Sequence, residues 1–564
     1  MCRLLVCLIF IVFFQPMLVL SKSAVVKMSV DTQKETAIIK DGVYANGFNC
    51  NEILDSEKTV KQLKDVGVKY YRVNFLSPSE LCGKFYGDWQ WNYPVNIPYE
   101  LHRQPNENDR YETIVKKVIE KGFEPVIPID FTRNLPKWFY GEQSDKNGKP
   151  WWNFNTDGTP GDGQLKQASQ IYADIIKHFN KDLGLKITYW ETFGEGYPHP
   201  SIMAKMHYMF AKAMKGIDPN IKIIAAETWP GWTIETFAKE LLSMPDADEY
   251  IDVFSMNWYG GLSLNNNPLI DFDFLKNPIN MDNTKCIDMI IQVPPNYGIW
   301  INSLRDVLNT PELNSKGKKF QIWFTEFNTT PYAYNWDKIT KDWGDFMINC
   351  NYYGGIYNAS VYCHVMENNG DVAISFTSLG YYGLFGGPET NFNPYPSWYA
   401  QYMLYNIAEF KPGRCLLATK NKSPKDGGAN VGGKNSPWLE IYASHTPEKN
   451  EYSLVLINRN RIQIYDTEIL LDKLKTDVGD RFEITKYVYD KTRVASYINP
   501  LKFGDGFDQN FKTICIEPVS TSSVMIKKKE PFKINITCEP FSMNILRIKK
   551  EDIFPGYTPD LKKK

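Results

Sequence analysis

Glu195 closes the run KITYWETFGE (186–195), and Glu326 lies in FQIWFTEFN (320–328); each is an apolar, strand-like segment with an acid near its C-terminal end. A carboxylate so placed can pass a proton, attack an electrophilic carbon, hold a metal or merely decorate a loop. Two of them facing each other at roughly 5 Å suit cleavage of a glycosidic bond with retention of configuration. One attacks the anomeric carbon; the other protonates the leaving oxygen and later activates water. Glu191 shares a strand face with Glu195 but lies deeper, where it needs a cationic partner such as Arg72, so its reading is structural. Glu227 reads as a rim residue, and Asp130 either holds a substrate hydroxyl or caps the loop that follows it.

For such acids to meet, the chain must bring distant strand ends to one place. From about 42 to 410 short β-branched runs alternate with helical patterns whose apolar residues recur every three or four positions. The strands are expected at 42–49, 68–75, 123–130, 186–195, 221–228, 251–260, 320–328 and 354–365, with helices such as 56–67, 109–122, 165–184 and 202–218 between them. Strand and helix in eight repeats predict a closed parallel (β/α)8 TIM barrel, an α/β fold whose chemistry sits at the C-terminal ends of the strands. Strands four and seven, carrying Glu195 and Glu326, then face one another across the mouth. After 396–410, the expected last barrel helix, short alternating runs predict a C-terminal antiparallel β-sandwich over 411–564, with a strand borrowed from 24–41.

The two acidic motifs resemble those of the clan A glycoside hydrolases, particularly the β-xylosidase/α-L-iduronidase family and the α-L-arabinofuranosidase family. KITYWETFGE is similar to their fourth-strand motif and IWFTEFN to their seventh. The resemblance implies Glu195 as general acid/base and Glu326 as nucleophile. It also implies that Arg72, in YYRVNF, supports the nucleophile, and that Tyr259, in MNWYGG, contacts it from the sixth strand. One position departs: the clan has Asn immediately before the acid/base, and this chain has Gly194. The lost amide would cost on the order of 1–3 kcal/mol in the transition state, and Asn257 or Asn74 is the candidate to replace it.

Composition narrows the alternatives. The 64 basic and 65 acidic residues nearly cancel, so the basic footprint of a nucleic-acid binder is missing. The 15 Trp and 34 Tyr suit the amphipathic faces of sugars. Trp138, Trp152, Trp229, Trp232, Trp258 and Trp336 are expected in loops or strand ends at the mouth, with the WPGW at 229–232 as the best stacking platform. Six histidines without an HExxH or paired spacing, and cysteines without a CxxC, call for neither metal nor cofactor. Residues 1–23 read as a secretory signal, leaving a chain that is secreted or lumenal and has no membrane segment. Eight cysteines then remain, with Cys50–Cys82 and Cys515–Cys538 as guessed bridges. Sequons at Asn328, Asn358, Asn421 and Asn535 fit a glycoprotein, although a glycan on Asn328 would block the cleft.

The leading expectation is thus a retaining glycoside hydrolase acting on an oligosaccharide or a glycan terminus. Its rivals are a catalytically inert carbohydrate-binding barrel, favoured by Gly194, and more weakly a metal-dependent hydrolase. Sugar, linkage, and oligomeric state are open.

Overall fold

The computed structural model describes residues 24–48, 50–73, 76, 111–130, 162–193, 200–228, 230, 232–260, 290–329, 351–379, 383–386, 391–424, 436–448, 450–494, 513–527 and 531–551. The signal segment, Asn74, Cys82, Trp138, Trp152, Gly194, Glu195, Trp229 and Trp336 lie outside the described residues. Strand β1 (Ala24–Ile38) precedes eight parallel strands that close into a barrel: β2 (Tyr44–Gly47), β3 (Tyr70–Arg72), β4 (Glu124–Asp130), β5 (Tyr189–Phe193), β6 (Lys222–Thr228), β7 (Val253–Gly260), β8 (Gln321–Thr329) and β9 (Val372–Ser375). β9 pairs with β2 to complete the ring.

Seven of these strands fall where alternation and flanking turn residues place them. The eighth does not. Residues 354–365 belong to a helix, α1 (Tyr352–Glu367), and the closing strand is the short Val372–Ser375. The reason is burial on nearly every side: from Gly354 to Met366 only His364 escapes full burial. A helix covered all round has no polar stripe, so its sequence carries no 3.6-residue period. Its aromatic and β-branched residues then read as a strand.

The barrel interior is layered. Ala45, Tyr70, Val126, Tyr189, Ile224, Val253, Trp323, Val372 and Ile374 form one buried cluster contributed by all eight strands. Within it the rings of Tyr70, Tyr189 and Trp323 stand 4.9–5.2 Å apart. This apolar floor seals the barrel, so whatever lies two residues further along each strand sits one layer higher, towards the C-terminal mouth.

The remaining strands form one nine-stranded sheet. They are β10 (Cys415–Asn421), β11 (Leu439–His445), β12 (Glu451–Asn458), β13 (Tyr465–Asp472), β14 (Arg481–Tyr489), β15 (Ser520–Met525), β16 (Phe532–Cys538) and β17 (Ser542–Lys550), and they join β1 in the order β15-β14-β17-β12-β11-β10-β1-β13-β16. β1 sits inside this sheet, antiparallel to β10 and parallel to β13. That parallel pair makes the sheet mixed. Phe482 of β14 and Phe532 of β16, near opposite edges of the order, meet with ring centroids 5.1 Å apart, so the sheet folds over onto itself around a shared core.

Two local expectations are corrected. Cys515 and Cys538 are separate buried thiols and form no bridge. Asn358 is buried within α1 and does not present its amide to a glycosylating enzyme; Asn328 is buried within β8, in keeping with an unused sequon there, and of the four sequons Asn535 alone is exposed.

Candidate active site

Above the apolar floor stands a polar layer. Arg72 is two residues past Tyr70, Glu191 two past Tyr189, and Thr325 two past Trp323. Arg72 and Glu191 are both completely buried. The guanidinium meets Glu191 as a fork, Nε to Oε2 at 2.8 Å and Nη2 to Oε1 at 3.0 Å. Its Nη1 donates to Glu326 Oε1 at 2.6 Å. A planar cation with five donors can bridge two carboxylates in this way; an ammonium cannot. One positive charge between two negative ones leaves a net negative cluster. Burial and the neighbouring Glu326 therefore push the Glu191 carboxyl above its ordinary value, against the pull of Arg72.

Glu326 is buried except for its outer edge, at 7% exposure. Its second oxygen, Oε2, accepts a hydrogen bond from the Tyr259 hydroxyl. Both oxygens are thus held, one from the second barrel strand and one from the sixth. The local backbone explains why Glu326 faces inward together with Thr325. β7 and β8 pair Met256 with Phe324 but Asn257 with Glu326, so Thr325 is an extra residue in β8. The β8–β9 register slips over the same two residues. Such a bulge breaks the strict alternation and re-aims one side chain, here the carboxylate. Glu326 consequently lies three residues inside β8, not at its end.

Packing fixes the guanidinium as well. The Phe48 ring lies 5.1 Å from Arg72 Cζ. A Cβ on Gly47 would come within 2.5 Å of the Arg72 carbonyl oxygen and 2.7 Å of its Cβ, so only glycine fits there. Sequence reasoning passes over Phe48 and Thr325. A Thr immediately before a strand-borne Glu is the faint signal for the second.

Asn257 faces the same interior. Its Oδ1 accepts from Thr325 Oγ1 at 3.0 Å. Its Nδ2 is buried and finds no acceptor among the described residues. Trp258, one residue on, turns the other way: it packs edge-on against Trp300, with centroids 5.4 Å apart, and lines the barrel wall away from the mouth. Trp232 begins a helix and Asp130 ends β4; the side chains of both are outside the described residues. His364, within the expected eighth strand, lies instead in α1, with Nε2 3.0 Å from Glu440 of β11. The structure therefore assembles Arg72, Glu191, Tyr259, Asn257, Thr325 and Glu326, and leaves Trp258 and His364 elsewhere.

No known protein family and no curated protein matches this sequence. Solved structures do match its fold. A thermostable GH51 α-L-arabinofuranosidase from Thermotoga petrophila superposes with a TM-score of 0.59 at 13% identity, over 93% of this chain and 100% of that one. A GH51 arabinofuranosidase from Xanthomonas axonopodis gives 0.58 at 10% identity, with the same coverage. A monomeric β-xylosidase from Caulobacter crescentus gives 0.53 at 12%, over 93% and 99%. The chain thus has the barrel-plus-β-domain fold of these glycoside hydrolases along nearly its whole length.

Proposed function

We propose that this protein is a retaining glycoside hydrolase that cleaves O-glycosidic bonds through a glycosyl-enzyme intermediate, as an exported exo-enzyme of xylosidase or arabinofuranosidase type. The observation that carries the reading is Glu326: a carboxylate at the mouth of a sealed barrel, with one oxygen held by Arg72 and the other by Tyr259. Each oxygen keeps a lone pair for attack. Arg72 and Tyr259 fix the carboxylate's orientation from two sides, as a positioned nucleophile requires.

In the first step Glu326 attacks the anomeric carbon as Glu195 gives its proton to the departing oxygen. In the second, Glu195 takes a proton from water, whose oxygen displaces Glu326 and regenerates both acids. The role of Glu195 rests on its motif and its place just after β5, the fourth barrel strand. The fold shared with an arabinofuranosidase and a β-xylosidase supports a pentose-like terminal sugar as the first substrate class to try. The deciding experiment is intact-protein and peptide mass spectrometry after incubation with 2-fluoro xylosyl and arabinofuranosyl donors. A covalent label on Glu326 is expected; a label on another residue, or turnover with inversion, would overturn the mechanism.

Gly194 favours a second reading, an inert barrel that binds glycans. Calorimetric binding of a sugar without hydrolysis of any aryl glycoside in a panel of xyloside, arabinofuranoside, glucoside and glucuronide would establish it instead.

A further inference from the structure

Away from the barrel mouth, three strands of the nine-stranded sheet bring together residues that lie far apart in the chain. Cys415 of β10 and His445 of β11 are direct cross-strand partners, so their side chains share one face. Glu35 of β1 lies where the β1–β10 register slips on either side of it, which releases its side chain from the regular alternation. The carboxylate, thiol and imidazole atoms all lie within 4.8 Å of one another.

The imidazole decides what this cluster is built for. His445 is 1% exposed, and its Nδ1 faces the Thr446 carbonyl, which can only accept, so Nδ1 carries the proton. In the neutral ring that leaves the lone pair on Nε2, aimed at Glu35 Oε1 from 3.1 Å. Two lone pairs face each other there, beside a thiol. A proton on Nε2 would relieve this as a simple ion pair. A divalent cation would relieve it and engage the sulfur as well. A backbone carbonyl that fixes the tautomer of a histidine is the usual outer support of a metal-bound imidazole.

We propose that Glu35, Cys415 and His445 form a binding site for a borderline-soft divalent cation of the zinc type, with solvent in the fourth position. Thiolate, imidazole and carboxylate together favour zinc over calcium or magnesium, which take oxygen donors. A tetrahedral zinc spaces such ligand atoms about 3.5 Å apart, so the site closes by roughly 1 Å on binding. The thiol proton leaves to solvent as the Cys415 sulfur–metal bond forms. The site is structural in character: it ties β1, from the beginning of the described chain, to β10 and β11 after the barrel. Cysteine and histidine spacing along the sequence gave no sign of it, because the ligands come from positions 35, 415 and 445.

The test is a titration of the reduced, metal-free full-length protein with Co2+. The expected result is a near-ultraviolet thiolate-to-cobalt charge-transfer band with tetrahedral visible bands, saturating at one equivalent and displaced by Zn2+. Cys415→Ser should abolish the charge-transfer band. Glu35→Gln, at a position where the side chain reaches solvent and folding is least at risk, should weaken binding while keeping the band. Melting temperature should rise with Zn2+ in the parent protein and not in Cys415→Ser. No charge-transfer band, or one that survives in Cys415→Ser, would overturn the proposal and leave His445 and Glu35 as a hydrogen-bonded pair.

Discussion

Arg72 and Glu191 form a fork-to-fork pair completely removed from solvent, with contacts of 2.8 and 3.0 Å, and the same guanidinium reaches Glu326 at 2.6 Å. The pair is therefore a bracket for the outer carboxylate. Replacing Glu191 by Ala removes one arm and leaves a buried cation with half its partners, which costs about 3–5 kcal/mol. Glu191→Gln keeps an acceptor of the same shape and should cost clearly less. Thermal unfolding of the two variants reads the difference; equal melting temperatures for Glu191→Ala and the parent would show that the bracket bears no strain.

Tyr259 tests the other side of Glu326. Tyr259→Phe removes one hydroxyl that donates to Oε2 and leaves the ring in place against Phe376, at 5.8 Å between centroids. A hydrogen bond to a charged group is worth about 1.5–3 kcal/mol, which predicts a kcat/KM lower by about 10- to 100-fold together with a lower melting temperature. Steady-state rates on an aryl glycoside measure it. A variant with parental kinetics would remove Tyr259 from the reaction.

The acid/base assignment of Glu195 makes a prediction that depends on the leaving group. Glu195→Ala should slow an alkyl glycoside severely and a dinitrophenyl glycoside little in its first step, because a phenolate of low basicity leaves without a proton. Added azide, which needs no base to activate it, should restore turnover on the dinitrophenyl substrate as a glycosyl azide. Equal losses on both substrates, with no azide effect, would point to a different residue.

Asn257 is the candidate to supply the amide that Gly194 lacks. Its Nδ2 is buried with no acceptor among the described residues, while Oδ1 is engaged by Thr325. An unsatisfied donor next to the Glu326 pairing position is costly unless a ligand completes it. Asn257→Ala is expected to lower kcat/KM by more than twofold on a natural sugar and less on its 2-deoxy analogue. A loss under about twofold, below ~0.5 kcal/mol, rejects the role.

The barrel frame was largely readable from residue order because its strands are short, apolar and punctuated, and Arg72, Tyr259 and Glu326 each sit in such a run. What escaped has identifiable physical causes. Burial on nearly all sides erased the helical period of Tyr352–Glu367 and displaced the eighth strand to Val372–Ser375. The bulge at Thr325 turns Glu326 inward before the strand ends, and a bulge leaves no mark in the pattern of residue types. Trp258 alternates with Asn257 and Tyr259, so once these face inward it must face the wall; placing it among the tryptophans of the mouth neglected that parity. The cluster of Glu35, Cys415 and His445 depends wholly on long-range strand pairing.

A last prediction concerns the seam between α1 and the nine-stranded sheet. Glu440 of β11 is buried, its Oε1 2.7 Å from Arg459 Nε and 3.0 Å from His364 Nε2, and its Oε2 accepts from Ser360 at 2.7 Å. Burial alone would raise its carboxyl, but the Arg459 and His364 charges and these hydrogen bonds outweigh it and hold the group at about 2, below its ordinary 4.5. A group depressed on folding stabilises the native state fully above its unfolded value and progressively less as pH falls through its folded one. The contribution, on the order of 3 kcal/mol, is therefore present above about pH 4.5 and disappears towards pH 2. Glu440→Gln should melt well below the parent at pH 6, and the gap should narrow steadily down to pH 2.5. Melting curves of both proteins across that range decide it: a gap that stays constant would mean that Glu440 is not ionised in the folded seam.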